Sequence, residues 1–154
     1  MNNVINLNQF DISALPSGKR VLVGGCFDII HIGHVRFFQH AHAHGDVLIV
    51  ALESDEFIRT IKMKEPFHTQ EERAEILSSM KNVDIVVLLP FLKDFIAYEN
   101  MVKKIQPDKI AVTKYDPQIE NKVKHAKSVN AEVISVMDYI PNKSSTLAKD
   151  RISL

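Results

Sequence analysis

Residues 20–38 read RVLVGGCFDIIHIGHVRFF, and this stretch carries the strongest fold signal in the chain. It begins with a short apolar run, passes through Gly24 and Gly25, and continues into a segment with helical spacing of apolar residues. A buried strand that ends at glycines and leads into a helix is typical of the first unit of a doubly wound α/β domain. Ligands bind beyond the carboxyl ends of the strands in such domains, so the segment after Gly25 is the expected binding region.

The alternation of apolar runs and amphipathic segments continues to the end of the chain. Four further runs predict strands: Val47 to Leu52, Asp84 to Leu89, Lys109 to Val112 and Glu132 to Val136. Five segments predict helices. Four of them are Gly33 to about His44, a segment around Phe95 to Val102, Ile119 to Val129, and Ser145 to Ile152. The fifth begins at the capping box of Thr69 and Glu72 and directs Ala74, Ile76, Leu77 and Met80 toward a core. Continuous β-branched runs are typical of strands covered on both faces. We therefore predict a doubly wound, Rossmann-like α/β domain with a five-stranded parallel sheet.

The chain divides into an N-terminal arm, residues 1–18, and one domain, residues 19–154. Pro16, Ser17 and Gly18 mark the end of the arm. Because the arm contains apolar residues, we expect it to pack on the body of the domain or on a second subunit. A total of 154 residues suits a single domain.

Composition and charge narrow the class of function. Hydrophobic residues make up 45% of the chain and charged residues 25%, as in an ordinary soluble globular protein. Lys+Arg and Asp+Glu are equal at 19 each, which gives no electrostatic reason to expect nucleic acid or a membrane as a partner. The single cysteine, Cys26, excludes an internal disulfide. No apolar run approaches the roughly 20 residues of a membrane span, and no secretory signal is evident, so we expect a cytoplasmic protein.

Two histidines lie where the first strand gives way to a helix. His31 and His34 are three residues apart at the expected helix start, so they share one side of it. A helix N-terminus offers unpaired N–H groups to phosphate, and both imidazoles can donate hydrogen bonds to phosphate oxygens. Gly33 leaves room for a bulky group between them. The alternatives are two ordinary surface histidines or a metal-binding pair, but no third ligand for a metal is evident.

The stretch from Gly25 to His34 resembles the signature G-[TC]-F-D-x-x-H-x-G-H of the cytidylyltransferase-like, HIGH-type nucleotidyltransferases. This group includes glycerol-3-phosphate cytidylyltransferase, the adenylyltransferase domain of heptose-nucleotide synthases and archaeal-type FAD synthetases. The resemblance covers about residues 19–152. Outside the signature it rests on Gly45 to Ala51, on Ser54 to Phe57 as the loop after the second strand, on Glu72 and Arg73, and on Val83 and Asp84.

The resemblance implies an enzyme that transfers a nucleoside monophosphate from CTP or ATP to a phosphorylated small molecule, such as glycerol 3-phosphate or a sugar phosphate. Pyrophosphate is released, and no covalent enzyme intermediate is needed, so the protein must align two polyanions and neutralise their charge. The implied cofactor is Mg²⁺, which bridges phosphates, with no protein residue assigned as its ligand. The implied partners are a nucleoside triphosphate, a phosphorylated metabolite and a second copy of the chain in a homodimer.

Matching positions assign roles to individual residues. The resemblance gives His31, His34 and Lys64 catalytic roles, and it places Lys62 and Arg73 on the acceptor or phosphate side. The nucleotide-binding set that it implies is Gly25, Cys26, Phe27, Asp28, Gly33, Asp116, Ser145 and Thr146.

Several of these positions have an ordinary structural explanation. Lys62 and Lys64 also fit a solvated basic loop between two helices. Arg73 also fits a helix-surface arginine paired with Glu72 or Glu75. Ser145 also fits a plain helix N-cap.

Two segments depart from the family pattern. Lys114, Tyr115 and Asp116 stand where the family has a glycine-rich nucleotide loop, and Leu147 replaces a hydroxyl after Ser145 and Thr146. These departures motivate a second hypothesis, a catalytically impaired nucleotide-binding sensor or assembly protein of the same fold. A fragment of a class I aminoacyl-tRNA synthetase is a third, which the chain length, the balanced charge and the lack of a K-M-S-K-S motif disfavour.

Overall fold

The computed structural model describes residues 3–138. Within them, six strands are formed by Val4–Asn6 (β1), Arg20–Gly25 (β2), Val47–Leu52 (β3), Ile85–Leu88 (β4), Lys109–Thr113 (β5) and Glu132–Met137 (β6). Five helices are formed by Ile32–His42 (α1), Asp55–Thr60 (α2), Gln70–Ser78 (α3), Phe95–Ile105 (α4) and Ile119–Lys127 (α5). Two short 3₁₀ turns, Leu7–Gln9 and Ile12–Ala14, follow β1.

The six strands form one parallel sheet with the order β1-β4-β3-β2-β5-β6. From β2 the chain builds outward through β3 to β4, and then returns to place β5 on the other side of β2. The order of the strands therefore reverses between β2 and β5. Such a switch point opens a crevice at the carboxyl ends of the strands, where doubly wound proteins bind their ligands.

The apolar runs lie in the middle of the sheet, as the sequence predicts. Every residue of β3 is buried, because helices cover both faces. On one face Leu22 and Ile49 pack in a cluster with residues of α4, and on the other Val21 and Val50 pack with residues of α1 and α3. The prediction of a parallel, doubly covered α/β fold is confirmed.

The prediction of five strands is wrong, because the arm supplies a sixth. Val4 pairs with Val86 in β4, and Leu7 and Phe10 are buried just beyond β1. The arm thus packs on the body of the domain. A three-residue edge strand that ends in Asn6 has no apolar run of its own, so no periodicity marks it in the sequence.

Local signals predicted the helix starts better than the helix faces. Thr69 and Glu72 form the predicted capping box at the start of α3. Ile76 is exposed rather than directed toward the core. Ser54, expected in a loop, is the N-cap of α2, and its side chain accepts the Phe57 N–H.

The predicted helix over 145–152 lies outside the described residues. None of the helices within residues 3–138 is long and apolar enough to cross a membrane.

Candidate active site

The two histidines form the cap of α1 at the carboxyl end of the central strand β2. His31 is the N-cap, and its Nδ1 accepts the Gly33 N–H at 3.1 Å. His34 Nδ1 accepts the His31 N–H at 3.3 Å, which completes a capping box built from two imidazoles. Their rings stack with centroids 3.8 Å apart. Because both Nδ1 atoms accept hydrogen bonds, we assign the protons to the two Nε2 atoms, which makes each Nε2 a hydrogen-bond donor.

Burial keeps the second imidazole neutral. The pKa of His34 is lowered to about 4, first by burial and second by the neighbouring His31. The edge of its ring contacts Phe27, with centroids 5.3 Å apart. His34 is therefore a neutral hydrogen-bond donor near pH 7 and supplies no positive charge.

The turn between β2 and α1 is shaped by Phe27, a buried residue with a left-handed φ of 46°. A bulky side chain seldom adopts this conformation. A Cβ on Gly25 would lie 2.9 Å from the Phe27 ring, so glycine is required there by the aromatic side chain. The structure thus shows a packing reason for Gly25, and its predicted contact with a nucleotide stays a prediction.

Asp28, predicted in the nucleotide-binding set, is buried and holds a loop. Its Oδ1 accepts the Phe67 N–H at 3.0 Å and the His68 N–H at 2.9 Å. These bonds tie the segment that carries Lys62 and Lys64 to the histidine turn. Lys62 is exposed and Lys64 is half-buried, and both belong to the loop that Asp28 holds at the histidine turn.

The structure contradicts both roles that the sequence suggests for Arg73, a phosphate-binding residue and a helix-surface residue. Its side chain is 0% exposed, so it is neither a surface partner of Glu72 or Glu75 nor open to a phosphate. Nη1 donates to the carbonyl oxygens of Cys26 and Glu53 at 2.6 and 2.9 Å, and Nη2 pairs with Asp55 at 2.7 Å. Nε donates to the carbonyl of His68 at 3.2 Å. Arg73 joins the ends of β2 and β3 to the lysine-bearing loop.

A buried carboxyl that sequence reasoning missed lies one strand away from the histidine turn. Glu53 follows β3, is 7% exposed, and accepts the Tyr98 hydroxyl at 2.7 Å through Oε1. Its Oε2 is the buried side-chain atom without a hydrogen-bond partner among residues 3–138. Burial, the largest influence, raises the pKa of Glu53 to about 7. An acidic residue directly after a fully apolar strand was the signal that could have revealed it.

The structure shows the surroundings of two further residues of the predicted nucleotide-binding set, Asp116 and Cys26. Asp116 pairs with Lys122 at 2.6 Å and accepts the Gln118 N–H at 2.7 Å, so it stabilises the start of α5. Burial raises the pKa of the Cys26 thiol to about 11, which keeps it protonated and unreactive. Ser145 and Thr146 lie beyond the described part of the chain. In that part, no group of three or more His, Cys, Asp or Glu side chains could hold a metal ion.

The fold and the histidine pair define a class of protein: a nucleotide-binding α/β domain with phosphate-binding donors at its switch point. The sequence model of the family described as cytidylyltransferase-like matches residues 22–151. The chain belongs to this family, and it is a nucleotidyltransferase.

Two curated relatives have names that describe a function. FAD synthase of Thermococcus kodakarensis is 40% identical over 123 residues, which cover 76% of this chain and 78% of that protein. The bifunctional protein HldE of Sulfurimonas denitrificans is 37% identical over 142 residues. That match covers 88% of this chain but 27% of HldE, so the chain spans about a quarter of that relative.

Solved structures share the fold. A lipopolysaccharide core biosynthesis protein from Thermoplasma volcanium aligns with a TM-score of 0.67 and 25% identity, over 80% of this chain and 100% of that one. A pantoate–β-alanine ligase from Francisella tularensis aligns with a TM-score of 0.66 over 95% of this chain and 75% of that one. At 15% identity, the second match shows the fold alone.

Proposed function

We propose that this protein transfers a nucleoside monophosphate from ATP, or less favourably CTP, to a phosphorylated small molecule and releases pyrophosphate. The observation that carries this proposal is the stacked pair of His31 and His34, whose Nε2 donors stand at a helix N-terminus beside the switch point. ATP is favoured because a relative 40% identical is named FAD synthase, and FAD contains an adenylate group. The acceptor belongs to the same chemical class as a flavin phosphate or a sugar phosphate.

The reaction is a direct displacement at the α-phosphorus. An oxygen of the acceptor phosphate forms a bond to this phosphorus while the bond to the bridging oxygen of the β-phosphate breaks, and pyrophosphate takes that electron pair. His31 and His34 donate hydrogen bonds to the triphosphate oxygens. Their geometry is fixed in advance by the capping bonds to the backbone, so little reorganisation is required in the transition state.

Positive charge is supplied by groups around the histidines. Lys64 and Lys62 lie on the loop that Asp28 ties to the histidine turn, and we propose that their ammonium groups reach the phosphates of triphosphate and acceptor. Arg73 acts as a positioning residue that holds this loop from behind. The described residues contain no cluster of oxygen ligands for a resident metal. Mg²⁺ is therefore proposed to enter with the triphosphate, whose charge it would neutralise.

Further proposals concern Asp116, the two residues Ser145 and Thr146 beyond the described range 3–138, and the assembly state of the protein. Ser145 and Thr146 are proposed to contact the triphosphate, and Asp116 to border the nucleotide from the end of β5. A homodimer in the cytoplasm is proposed from the family resemblance. Sedimentation at several protein concentrations tests the dimer.

The proposed function is tested by pyrophosphate release with Mg²⁺, the four common triphosphates and a panel of phosphorylated acceptors. We expect turnover with ATP and one acceptor class. His34→Ala should lower the rate by a factor on the order of 10²–10³, the range for loss of one transition-state donor. His44→Ala, an exposed histidine just after α1, is the matched control and should keep full activity.

The alternative sensor or assembly function predicts a different result. It predicts that the wild-type protein binds a triphosphate, seen as a rise in unfolding temperature, without turnover in any combination. Equal rates for His34→Ala and the wild type would contradict the proposed catalytic role of the histidine pair.

A further inference from the structure

An opening lies on the face of the sheet that α4 covers, at the switch point. Gly24 is exposed although it belongs to the central strand β2. A Cβ built on Gly24 would have the carbonyl oxygen of Ala51 as its nearest neighbour, at 3.8 Å, so the space above it is free. The pairing of β2 with β5 includes Val21 and Leu22 and does not extend to Gly24. The two strands therefore leave a crevice, here called the Gly24 crevice.

The carboxyl of Glu53 lies on the same side of the sheet. Gly24 is level with Ala51 on β3, and Glu53 follows Ala51 by two residues, which returns its side chain to the same face. The hydroxyl of Tyr98, from the helix that covers this face, donates to Glu53 Oε1. The Glu53 N–H donates to the carbonyl of Gly25 at 3.0 Å, so the residue sits directly beside the turn that leads to the histidines.

The second carboxyl oxygen is the unusual feature. A buried acceptor without a partner is unfavourable, and native proteins retain few of them. Rotation about the last side-chain bond of Glu is soft. Because Tyr98 occupies Oε1, Oε2 is the acceptor that this carboxyl can offer to a ligand. No Lys or Arg among residues 3–138 forms an ion pair with Glu53, so this oxygen is available to a neutral donor.

We propose that Glu53 is a substrate-binding residue whose Oε2 accepts a hydrogen bond from a hydroxyl group of a sugar or polyol bound in the Gly24 crevice. Acidic side chains after the second strand of doubly wound domains bind ribose hydroxyls in this way, and Glu53 follows the second strand of the βαβ unit that begins at β2. The hydroxyl belongs either to the ribose of the nucleotide or to the acceptor. This inference rests on the proposed function, because both sources are substrates of that reaction.

The test compares Glu53→Met, which removes both oxygens at similar volume, with Glu53→Gln, which retains one acceptor oxygen. Glu56→Gln, an exposed residue of α2, is the matched control. We expect Glu53→Met to raise the KM of one substrate about tenfold or more, the loss expected for one hydrogen bond to a charged group. The value of kcat should change less, and Glu53→Gln should recover part of the loss.

Substrate analogues that lack one hydroxyl group show which substrate supplies the hydroxyl that Glu53 binds. If the ribose is bound, 2′-deoxy-ATP or 3′-deoxy-ATP should bind the wild type more weakly than ATP, and Glu53→Met should abolish that difference. If the acceptor is bound, the KM of the acceptor should rise while that of ATP stays constant. KM values of Glu53→Met within twofold of those of Glu56→Gln for both substrates would overturn the inference.

A failure of the proposed function is separable from a failure of this inference. If the wild type and Glu56→Gln show no turnover, the proposed function fails. Calorimetric titration of ATP, the deoxy analogues and the polyol phosphates then decides the role of Glu53 by binding alone. Tyr98→Phe provides a second variant that keeps the ring and removes one donor, and it should weaken binding of the same ligand. Unchanged affinities in both variants would contradict the proposal.

Discussion

Asp28 accepts the backbone N–H of Phe67 with both carboxyl oxygens, at 3.0 and 2.9 Å, and so joins two loops that are 39 residues apart in sequence. One loop positions His31 and His34, and the other carries Lys62 and Lys64. The lysine-bearing loop is therefore held to the histidine turn by a buried carboxylate, and Arg73 adds a second connection through the carbonyls of His68 and Cys26.

Removing this carboxylate should loosen the lysine-bearing loop. Asp28→Ala leaves the Phe67 and His68 N–H groups without their acceptor, a loss of about 1–3 kcal/mol in the free energy of unfolding. Hydrogen exchange at these two amides should accelerate more than exchange in β3. Asp28→Asn, which keeps one acceptor oxygen, should show a smaller change. Unaltered exchange at both amides in Asp28→Ala would refute the anchoring role.

Arg73 should be far more sensitive to substitution than an arginine on the surface. Arg73→Lys cannot reproduce a planar fork that reaches Cys26, Glu53 and Asp55 together, and it leaves buried groups unpaired. We expect a loss of about 3–5 kcal/mol in stability by urea denaturation. Arg59→Lys, in an exposed pair with Glu65, should cost less than about 1 kcal/mol. Similar losses of stability in the two variants would exclude the structural role assigned to the buried Arg73 side chain.

His34 should stay neutral throughout the physiological range. Its pKa of about 4 lies below the ordinary 6.5, so the folded chain binds this proton more weakly than the unfolded chain. The contribution of His34 to stability is present above pH 6.5 and is lost as the pH falls toward 4. Nitrogen-15 NMR should report an imidazole with a protonated Nε2 at pH 7 and a titration midpoint near 4. A midpoint above 6 would contradict the burial argument.

The contribution of Glu53 to stability should depend on pH in the opposite direction from that of His34. Its pKa rises from 4.5 to about 7, so the folded chain holds the proton more tightly, and this contribution is present below pH 4.5 and lost as the pH rises through 7. The unfolding free energy of Glu53→Gln minus that of the wild type should grow by on the order of 1–3 kcal/mol between pH 4.5 and 8, since one pKa unit is about 1.4 kcal/mol. A difference that is flat with pH would mean that Glu53 is not buried as described.

The sequence predicts the centre of this fold well because the signals there are local. The continuous apolar run of β3 requires a strand covered on both faces, and Thr69 with Glu72 specifies the start of α3 without reference to the rest of the chain. β1 escaped prediction because its stability comes from pairing with β4, a partner about eighty positions away, and not from a pattern of its own.

The same distinction applies to the site. The placement of His31 and His34 can be predicted because it depends on two positions three residues apart at one helix start. The roles of Arg73 and Glu53 depend on carbonyls and a hydroxyl from distant strands and helices, so type and spacing alone could not place them. An arginine after a capping box has the same local sequence whether it faces solvent or lies buried behind the active-site loops.

Nucleotidyl transfer by this protein is measured by following the α-phosphorus of ATP. The protein, Mg²⁺, ATP labelled at the α-phosphate and a panel of phosphorylated acceptors are incubated together, and the products are separated. We expect label to pass into a new product in which the nucleoside monophosphate is joined to the acceptor phosphate by a phosphoanhydride bond, in step with unlabelled pyrophosphate. His34→Ala should slow both by a factor on the order of 10²–10³, while His44→Ala should retain them. Label that remains in ATP with every acceptor would contradict the proposed transfer reaction, and transfer that persists undiminished in His34→Ala would contradict the role of His34.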